Sequence, residues 1–235
     1  MFEVKITDRF NLGDKNFLIT GGGCGIGFAC AKAIAQLGGG VAVIDTLAEP
    51  VEEFHMLGKR FGVKTSFVRG DTAAGICIDE PLVEADWEHS QRTSNVNVMG
   101  TFWTIKLLAK HLVDTKTHGS IVTIASLNGQ GVYVPVQPCA AYNASKAAVK
   151  GLMGPLGAEL GEHGIRINSI SPGAIQTPLL KRLEGEKRAI LDFYSDGAPL
   201  QRLGIPEDLT PMVCYLLSDA ASFTTGADFL LTGES

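Results

Sequence analysis

The chain lacks the features that mark several large classes of protein. No apolar run approaches the roughly 18 residues of a membrane-spanning helix, and the N-terminus has no apolar signal core. Lysine and arginine form no block and the formal net charge is −5, which argues against nucleic acid as a partner. The five cysteines include no Cys-x-x-Cys pair and the five histidines are isolated, so no metal site is expected. These absences predict a cytoplasmic protein with reduced thiols and no membrane partner.

The residues that are present suit one folded domain. Hydrophobic residues make up 45% of the 235 residues, and 28 glycines allow many tight turns. Strand-like and helix-like segments alternate along the chain without a linker or a repeat. We predict strands over residues 16–20, 41–44, 64–68, 120–125, 166–171 and 228–231, and helices over residues 26–37, 50–61, 86–110, 142–162 and 206–217.

This alternation predicts an α/β fold with a doubly wound, mostly parallel, Rossmann-like sheet in a single domain over residues 1–235. In such a sheet the active site lies at the carboxyl ends of the strands. Trp87 and Trp103 lie in helical stretches, and we expect them in the core.

A glycine-rich turn joins the first strand to the first helix. It reads Thr20-Gly21-Gly22-Gly23-Cys24-Gly25-Ile26-Gly27. A glycine turn on its own is a weak signal, because tight packing alone can require it. Between a strand and a helix, glycines let the backbone approach a pyrophosphate, and the helix N-terminus supplies N–H donors and partial positive charge. With an acid ending the next strand, the context is that of a dinucleotide-binding turn.

That acid is Asp45, 18 residues after Gly27. A carboxylate at this place can bind both ribose hydroxyls of the adenosine half and repels a 2′-phosphate. Cys24 precedes Gly25 where an arginine or lysine would bind that phosphate. We therefore predict NAD as the preferred cofactor, with NADP as the alternative.

Tyr142 and Lys146 are four residues apart in a predicted helix, which places them on one face. An ammonium beside a phenol favours the phenolate and lowers the tyrosine pKa. A tyrosine so tuned is a general acid/base for interconverting a hydroxyl and a carbonyl. Most such pairs are surface neighbours, but the dinucleotide-binding turn upstream favours the catalytic interpretation.

Six motifs in order along the chain resemble the short-chain dehydrogenase/reductase family. They are Thr20–Gly27, Asp71 in Arg69-Gly70-Asp71, Asn97 in Asn97-Val98-Met99-Gly100, Ser126 after the strand Ile121–Ala125, Tyr142 with Lys146, and the segment Ser171-Pro172-Gly173-Ala174-Ile175-Gln176-Thr177-Pro178. The resemblance implies an NAD(P)-dependent oxidoreductase acting on a small secondary alcohol or ketone, such as a polyol or a sugar.

The resemblance also implies a role for each residue. Tyr142 transfers the proton at the substrate oxygen, and Ser126 donates a hydrogen bond to that oxygen. Lys146 tunes Tyr142 and holds the nicotinamide ribose, while Asn97 anchors a water that relays protons to Lys146. The implied cofactor-binding residues are Thr20, Gly21, Gly25, Ile26, Gly27, Asp45, Asp71 (at the adenine), Tyr142, Lys146, Pro172, Gly173, Ile175 and Thr177 (the last two at the carboxamide). Members of the family assemble as homodimers or homotetramers through the tyrosine-bearing helix.

The chain departs from the family pattern after Asp71. In the family, roughly one helix and one strand separate this aspartate from a turn that reads Asn-Asn-Ala-Gly, whereas here residues 72–75 resemble that turn directly. A central helix–strand unit of about two dozen residues is therefore missing. Either segment 64–71 keeps its edge position, or it moves into the empty place beside the first strand. We favour the move, because an unfilled central place exposes two ladders of backbone groups.

Two function classes remain open. Intact Ser126, Tyr142 and Lys146 favour an active oxidoreductase. The missing unit favours a non-catalytic dinucleotide-binding relative or a defective isoform, as a skipped exon would produce.

Overall fold

The computed structural model describes residues 5–71, 75–131, 137–181 and 188–233. The helices and strands are, in chain order, β1 (Asn16–Thr20), α1 (Gly25–Gln36), β2 (Gly40–Asp45), α2 (Glu52–Phe61), β3 (Thr65–Arg69), α3 (Trp87–Ser94), α4 (Gly100–Asp114), β4 (Gly119–Ile124), α5 (Ala140–Gly151), α6 (Met153–Gly161), β5 (Ile165–Pro172), α7 (Pro178–Lys181), α8 (Arg188–Gly197), α9 (Pro206–Leu217) and β6 (Asp228–Leu231). Among these described helices, none has both the length and the apolar character needed to cross a membrane.

The chain forms two compact units. The first consists of Met1–Ala73 with Pro206–Phe223, and the second of Ala74–Ile205 with Thr224–Ser235. Each unit contains one three-stranded sheet, in the order β1-β2-β3 or β4-β5-β6, and every pair of neighbouring strands is parallel. The predicted α/β class with parallel strands is confirmed, and the single domain over residues 1–235 stays a prediction.

In the first unit the third strand takes the edge position. β3 pairs with β2, with Asp45 opposite Arg69, and β2 pairs with β1, with Thr20 opposite Ile44. The favoured move of segment 64–71 to a place beside β1 is therefore wrong. Packing explains why β3 stays beside β2. The ring of Phe67 on β3 meets the ring of Phe54 on α2 edge-on at 6.2 Å, and Phe54 is buried in the core of this unit.

The second unit has the more deeply buried strand. Seven of the eight residues of β5 are buried, as expected for a parallel strand with neighbours on both sides. Its Ile165 and Ile167 pack with Met153 of α6 and Ile121 of β4 in one apolar cluster. This core fixes the carboxyl ends of β4 and β5, where the sequence predicts catalytic and cofactor-binding residues.

The predicted helix over residues 142–162 is two helices, α5 and α6, with a break at Leu152. The break explains how Pro155 is tolerated, since it falls in the first turn of α6 rather than in a helix interior. Gly157 is required by packing, because a Cβ there would lie 2.7 Å from the Cα of Gly226.

Two aromatic side chains differ from the prediction. Trp87 is 79% exposed and Trp103 is 47% exposed, so their expected place in the core is wrong. The helical pattern alone did not show which face of α3 and α4 turns inwards. The buried positions on these helices are Thr93, Ile105 and Ala109.

Candidate active site

The glycine turn of the first unit lies between β1 and α1, as predicted. The N–H of Gly21 donates to the carbonyl oxygen of Ile44 at 2.8 Å, which ties the turn to β2. Gly27 packs so closely on the turn that a Cβ would lie 2.2 Å from the carbonyl oxygen of Gly21. Only glycine permits this approach of α1 to the turn.

The start of α1 offers N–H donors to an anion. Its N-cap residue is Cys24, whose side chain makes no capping hydrogen bond. The first N–H groups of a helix have no partner within the helix, and the helix dipole adds partial positive charge. The backbone around Gly25, Ile26 and Gly27 therefore fits the pyrophosphate of a dinucleotide.

Asp45 is buried at the end of β2, with 7% of its surface exposed. One carboxylate oxygen accepts the N–H of Gly23 at 2.8 Å and the other accepts the N–H of Leu47 at 3.0 Å. The two bonds fix the carboxylate against the glycine turn, and each oxygen keeps a lone pair for a further donor.

Asp71 follows β3 in the same unit and is exposed. Because β3 stays beside β2, Asp71 comes two residues after the partner of Asp45 in the sheet. Both carboxylates thus lie at the carboxyl ends of neighbouring strands.

Tyr142 and Lys146 lie on one face of α5 in the second unit, as predicted. The ammonium of Lys146 is 5.7 Å from the ring centroid of Tyr142. It donates to the carbonyl oxygen of Ile124, at the end of β4, at 2.9 Å. Lys146 is 6% exposed, which is rare for a lysine and indicates a held position rather than a solvated one.

Burial sets the pKa values of this pair. It lowers the pKa of Lys146 from 10.5 to about 8. It raises the pKa of Tyr142, a half-buried residue, above its ordinary value of 10.0. A hydrogen bond with Ser126 acts in the opposite direction but does not offset burial. The predicted lowering of the Tyr142 pKa by Lys146 is therefore wrong for this structure, because desolvation of the phenolate is the larger effect.

Ser126 lies just after β4 and is 9% exposed. Its hydroxyl accepts the N–H of Asn128 at 3.2 Å, which caps the short 3-10 helix Leu127–Gln130. The same hydroxyl bonds to Tyr142. Ser126 therefore has both of the roles that the sequence leaves open, a strand-end cap and a partner of the tyrosine.

Asn97 is at the centre of a π-helical turn, Asn95–Met99, between α3 and α4. Its side-chain oxygen accepts the N–H of Ile76 at 2.9 Å, and its amide nitrogen donates to the oxygen of Ile76 and to Ser145, each at 2.9 Å. Single π turns are frequent at functional sites. Here the turn directs Asn97 so that it joins the segment after Gly75 to α5.

The segment after β5 is held by backbone bonds. The N–H of Gly173, next to Pro172, donates to the oxygen of Leu231 at 3.1 Å. Ile175 is 7% exposed, and Thr177 accepts the N–H of Leu180 at 3.3 Å at the start of α7. The structure thus shows an ordered segment at the carboxyl end of β5.

The sequence did not single out three side chains that act on the tyrosine. Cys77, Cys139 and Tyr194 each raise the pKa of Tyr142 through their charge when ionised. Tyr194, on α8, shares hydrogen bonds with Asn128 at 3.4 Å and Gln137 at 3.1 Å. These residues are far apart in sequence and form no motif. Residues 72–74, the rest of the turn before Gly75, lie outside the described residues.

Two family models together match nearly all of the chain. The model described as short chain dehydrogenase matches residues 15–74, and the model described as enoyl-(acyl carrier protein) reductase matches residues 71–233. The two matches meet at residues 71–74, where the sequence analysis predicts a missing helix–strand unit.

Two curated relatives and one solved structure show the same kinship. The galactitol 2-dehydrogenase of Rhizobium johnstonii is 32% identical, with 93% of this chain and 94% of the relative covered. The L-rhamnose 1-dehydrogenase (NAD(P)(+)) of a Sphingomonas species is 33% identical, with 93% and 95% covered. The NADPH-dependent 3-quinuclidinone reductase of Rhodotorula rubra superposes with a TM-score of 0.88 at 30% identity, covering 99% of this chain and 95% of that one.

The comparisons agree with the motifs and with the Rossmann-like arrangement of parallel strands. The chain therefore belongs to the short-chain dehydrogenase/reductase family, whose members are NAD(P)-dependent oxidoreductases.

Proposed function

We propose that this protein interconverts a small secondary alcohol and its ketone, with Tyr142 as the acid/base group. The observation that carries the proposal is the buried arrangement on α5, in which Tyr142 bonds to Ser126 and Lys146 is held 5.7 Å from the tyrosine ring. A bound nicotinamide ring supplies the hydride acceptor or donor.

In the oxidation direction, Tyr142 removes the proton from the substrate hydroxyl. Ser126 donates a hydrogen bond to the same oxygen and so orients it. Since burial keeps Tyr142 protonated in the free protein, its hydroxyl suits the reverse direction as well, in which it donates a proton to the carbonyl oxygen.

Lys146 and Asn97 support this group. Lys146 would donate to the nicotinamide ribose hydroxyls. Asn97 uses its two amide protons on Ile76 and Ser145, which leaves one acceptor position on its oxygen. A water bound there would relay protons to Lys146. Pro172, Gly173, Ile175 and Thr177 would hold the carboxamide end of the nicotinamide.

The variant Tyr142→Phe tests the proposal. We expect kcat to fall by at least about 100-fold, because only the acid/base hydroxyl is removed. The affinity for NAD, measured by titration, should change little. Steady-state turnover and a binding titration on the same preparation separate the two effects.

Tyr215→Phe is the matched control, since Tyr215 lies on α9 in the first unit. Its turnover should equal that of the unchanged protein. If Tyr142→Phe also retains full turnover, the assignment of the acid/base group is wrong. If the unchanged protein binds NAD but turns over no secondary alcohol or ketone, the alternative of a non-catalytic dinucleotide-binding relative is correct.

We further propose that NAD is preferred over NADP. The first unit brings the Asp45 carboxylate to the glycine turn, where Gly23 and Leu47 fix it. A 2′-phosphate on the adenosine ribose would meet this charge and lose part of its hydration, while ribose hydroxyls can donate to the carboxylate. Asp71 would contact the adenine at the same carboxyl end of the sheet.

The variant Asp45→Ala tests the preference. The ratio of the NADP Kd to the NAD Kd should fall by about tenfold or more, equivalent to about 1.4 kcal/mol. The ratio is the informative quantity because loss of the bonds to Gly23 and Leu47 weakens both cofactors alike. Asp219→Ala, which removes an exposed carboxylate paired with Lys15, should leave the ratio unchanged. Tighter binding of NADP than of NAD by the unchanged protein would contradict the proposal.

The substrate class is proposed from the relatives. The names galactitol 2-dehydrogenase and L-rhamnose 1-dehydrogenase point to polyols and sugars. The rate of NADH formation with galactitol, L-rhamnose and simple secondary alcohols ranks these candidates.

We propose that the protein assembles as a homodimer or homotetramer. α5 presents the small exposed residues Ala144, Ala147 and Ala148, which permit close helix packing. On α4, Trp103 and Leu107 are 47% and 68% exposed. Apolar surface of this kind favours association with a second copy. Light scattering after gel filtration measures the assembly.

A further inference from the structure

The second unit contains a cluster of ligand-bearing side chains beside the tyrosine-bearing helix. Cys77 and Asp79 lie between Gly75 and α3, and Cys139 is the N-cap residue of α5. Their two sulfur atoms and a carboxylate oxygen all lie within 4.8 Å of one another. Among the described residues, this is the one group of three or more His, Cys, Asp or Glu side chains that converges in this way.

The backbone holds the two contributing segments together. The N–H of Glu80 donates to the carbonyl oxygen of Pro138 at 2.7 Å. Each of these residues adjoins a member of the cluster, Asp79 in one segment and Cys139 in the other. The convergence is therefore a property of the fold rather than of flexible side chains alone.

The distances suit a tetrahedral zinc ion. Zinc–sulfur bonds of about 2.3 Å and zinc–oxygen bonds of about 2.0–2.2 Å at a tetrahedral angle separate sulfur from oxygen by about 3.5 Å and two sulfurs by about 3.8 Å. The Cys77 sulfur and the Asp79 Oδ1 are 3.5 Å apart. The sulfur atoms of Cys77 and Cys139 lie within 4.8 Å of each other, a range that includes the separation of two sulfurs bound to zinc.

Neighbouring amides orient the ligand side chains. Gln137 donates to the Asp79 Oδ1 at 3.1 Å and to the Cys77 sulfur at 3.9 Å. Asn128 donates to the Cys139 sulfur at 3.6 Å. Hydrogen bonds of this kind fix the direction of ligands and are typical of metal sites.

We propose that Cys77, Asp79 and Cys139 form a binding site for a thiophilic divalent cation of the zinc class. Two thiolates and one carboxylate select such a cation over magnesium or calcium, which prefer oxygen ligands. A water molecule completes the tetrahedron. Each thiol loses its proton as its sulfur bonds to the metal, so about two protons are released for each cation bound and the net charge of the site does not change.

Cobalt(II) is the probe, since tetrahedral thiolate ligation gives it a sulfur-to-metal charge-transfer band and strong visible absorption. Reduced, metal-stripped protein should bind one cobalt per chain, release about two protons, and lose the spectrum when zinc is added. Cys77→Ser and Cys139→Ser should each abolish or strongly reduce the charge-transfer band. Asp79→Asn should keep the band and weaken cobalt binding by about tenfold or more.

Cys30→Ser and Cys214→Ser are the matched controls, because both cysteines are buried in the first unit and should leave the spectrum unchanged. Absence of a charge-transfer band in the unchanged protein overturns the proposal, as does a band that persists in the double variant of Cys77 and Cys139. If the serine variants do not fold, the Asp79→Asn affinity decides, and an unchanged affinity overturns the site. None of these outcomes depends on the dehydrogenase activity, so the proposed function is tested separately.

Discussion

The buried ammonium of Lys146 is the unusual group at the scale of single residues. In the folded protein its pKa is about 8, whereas an unfolded lysine keeps its proton up to about 10.5. Between these values the unfolded chain binds more protons than the folded one. The free energy of unfolding therefore increases as the pH rises from 8 to 10.5. It decreases as the pH falls through the same range.

Lys146→Met makes this contribution measurable. Met has a similar length and no proton to lose, and the variant keeps Tyr142. The free energy of unfolding of the unchanged protein, relative to Lys146→Met, should rise by up to about 3 kcal/mol between pH 7 and pH 10.5. Urea unfolding at several pH values provides the measurement, and Lys106→Met, at an exposed position on α4, is the control. A difference that does not vary with pH would mean that Lys146 is not buried as described.

At the scale of elements, α6 shows how one helix contains both a required and a replaceable glycine. A Cβ on Gly157 would lie 2.7 Å from the Cα of Gly226, a backbone atom that cannot turn aside. A Cβ on Gly154 would meet no atom within 4 Å. The two glycines occur in the same short helix and differ only in what faces them.

Alanine at these two positions should change stability in opposite directions. Gly157→Ala forces α6 away from the loop before β6 and should lower the free energy of unfolding by about 1–3 kcal/mol. Gly154→Ala should raise it by up to about 1 kcal/mol, because alanine has the higher helix propensity. Thermal and urea unfolding of both variants measure the effect. Equal changes in the two variants would show that helix propensity, not the close approach, decides.

At the scale of the whole molecule, the main predicted departure from the relatives is a missing helix–strand unit. The alignment with the galactitol dehydrogenase extends over 247 positions, more than the 235 residues of this chain, so it contains gaps opposite residues of the relative. Among the described strands, β1 pairs with β2 alone. Leu18, in the middle of β1, is 47% exposed.

We expect a higher Tm after insertion of the corresponding helix–strand unit of the galactitol dehydrogenase behind Thr72. Thr72 lies outside the described residues. Burial of even two large apolar side chains contributes about 1.5–3 kcal/mol each, which corresponds to about 5 °C or more for a chain of this size. A flexible Gly/Ser insertion of the same length is the control. If the unchanged protein melts as high as the version with the relative's segment, the chain is as stable without the unit.

The Tyr142–Lys146 pair and the glycine turn could be predicted because their geometry depends on short stretches of chain. Four residues of helix bring two side chains to one face wherever the helix lies. The bounds of β1 and α9 were predicted for the same reason, from local periodicity and turn signals. The break at Leu152 could be anticipated only in part, because glycines and a proline weaken a helix without showing where it ends.

The sequence by itself determined the family, the alternation of strands and helices, and the residue types at the catalytic positions, since each of these is a local pattern. Tertiary structure alone decided that β3 pairs with β2, that Trp87 faces outwards, and that burial raises the pKa of Tyr142. It also brought Cys77 and Asp79 to Cys139, about sixty residues later in the chain. Contacts between distant segments and the loss of water around a charge depend on how the whole chain packs, and no local spacing encodes them.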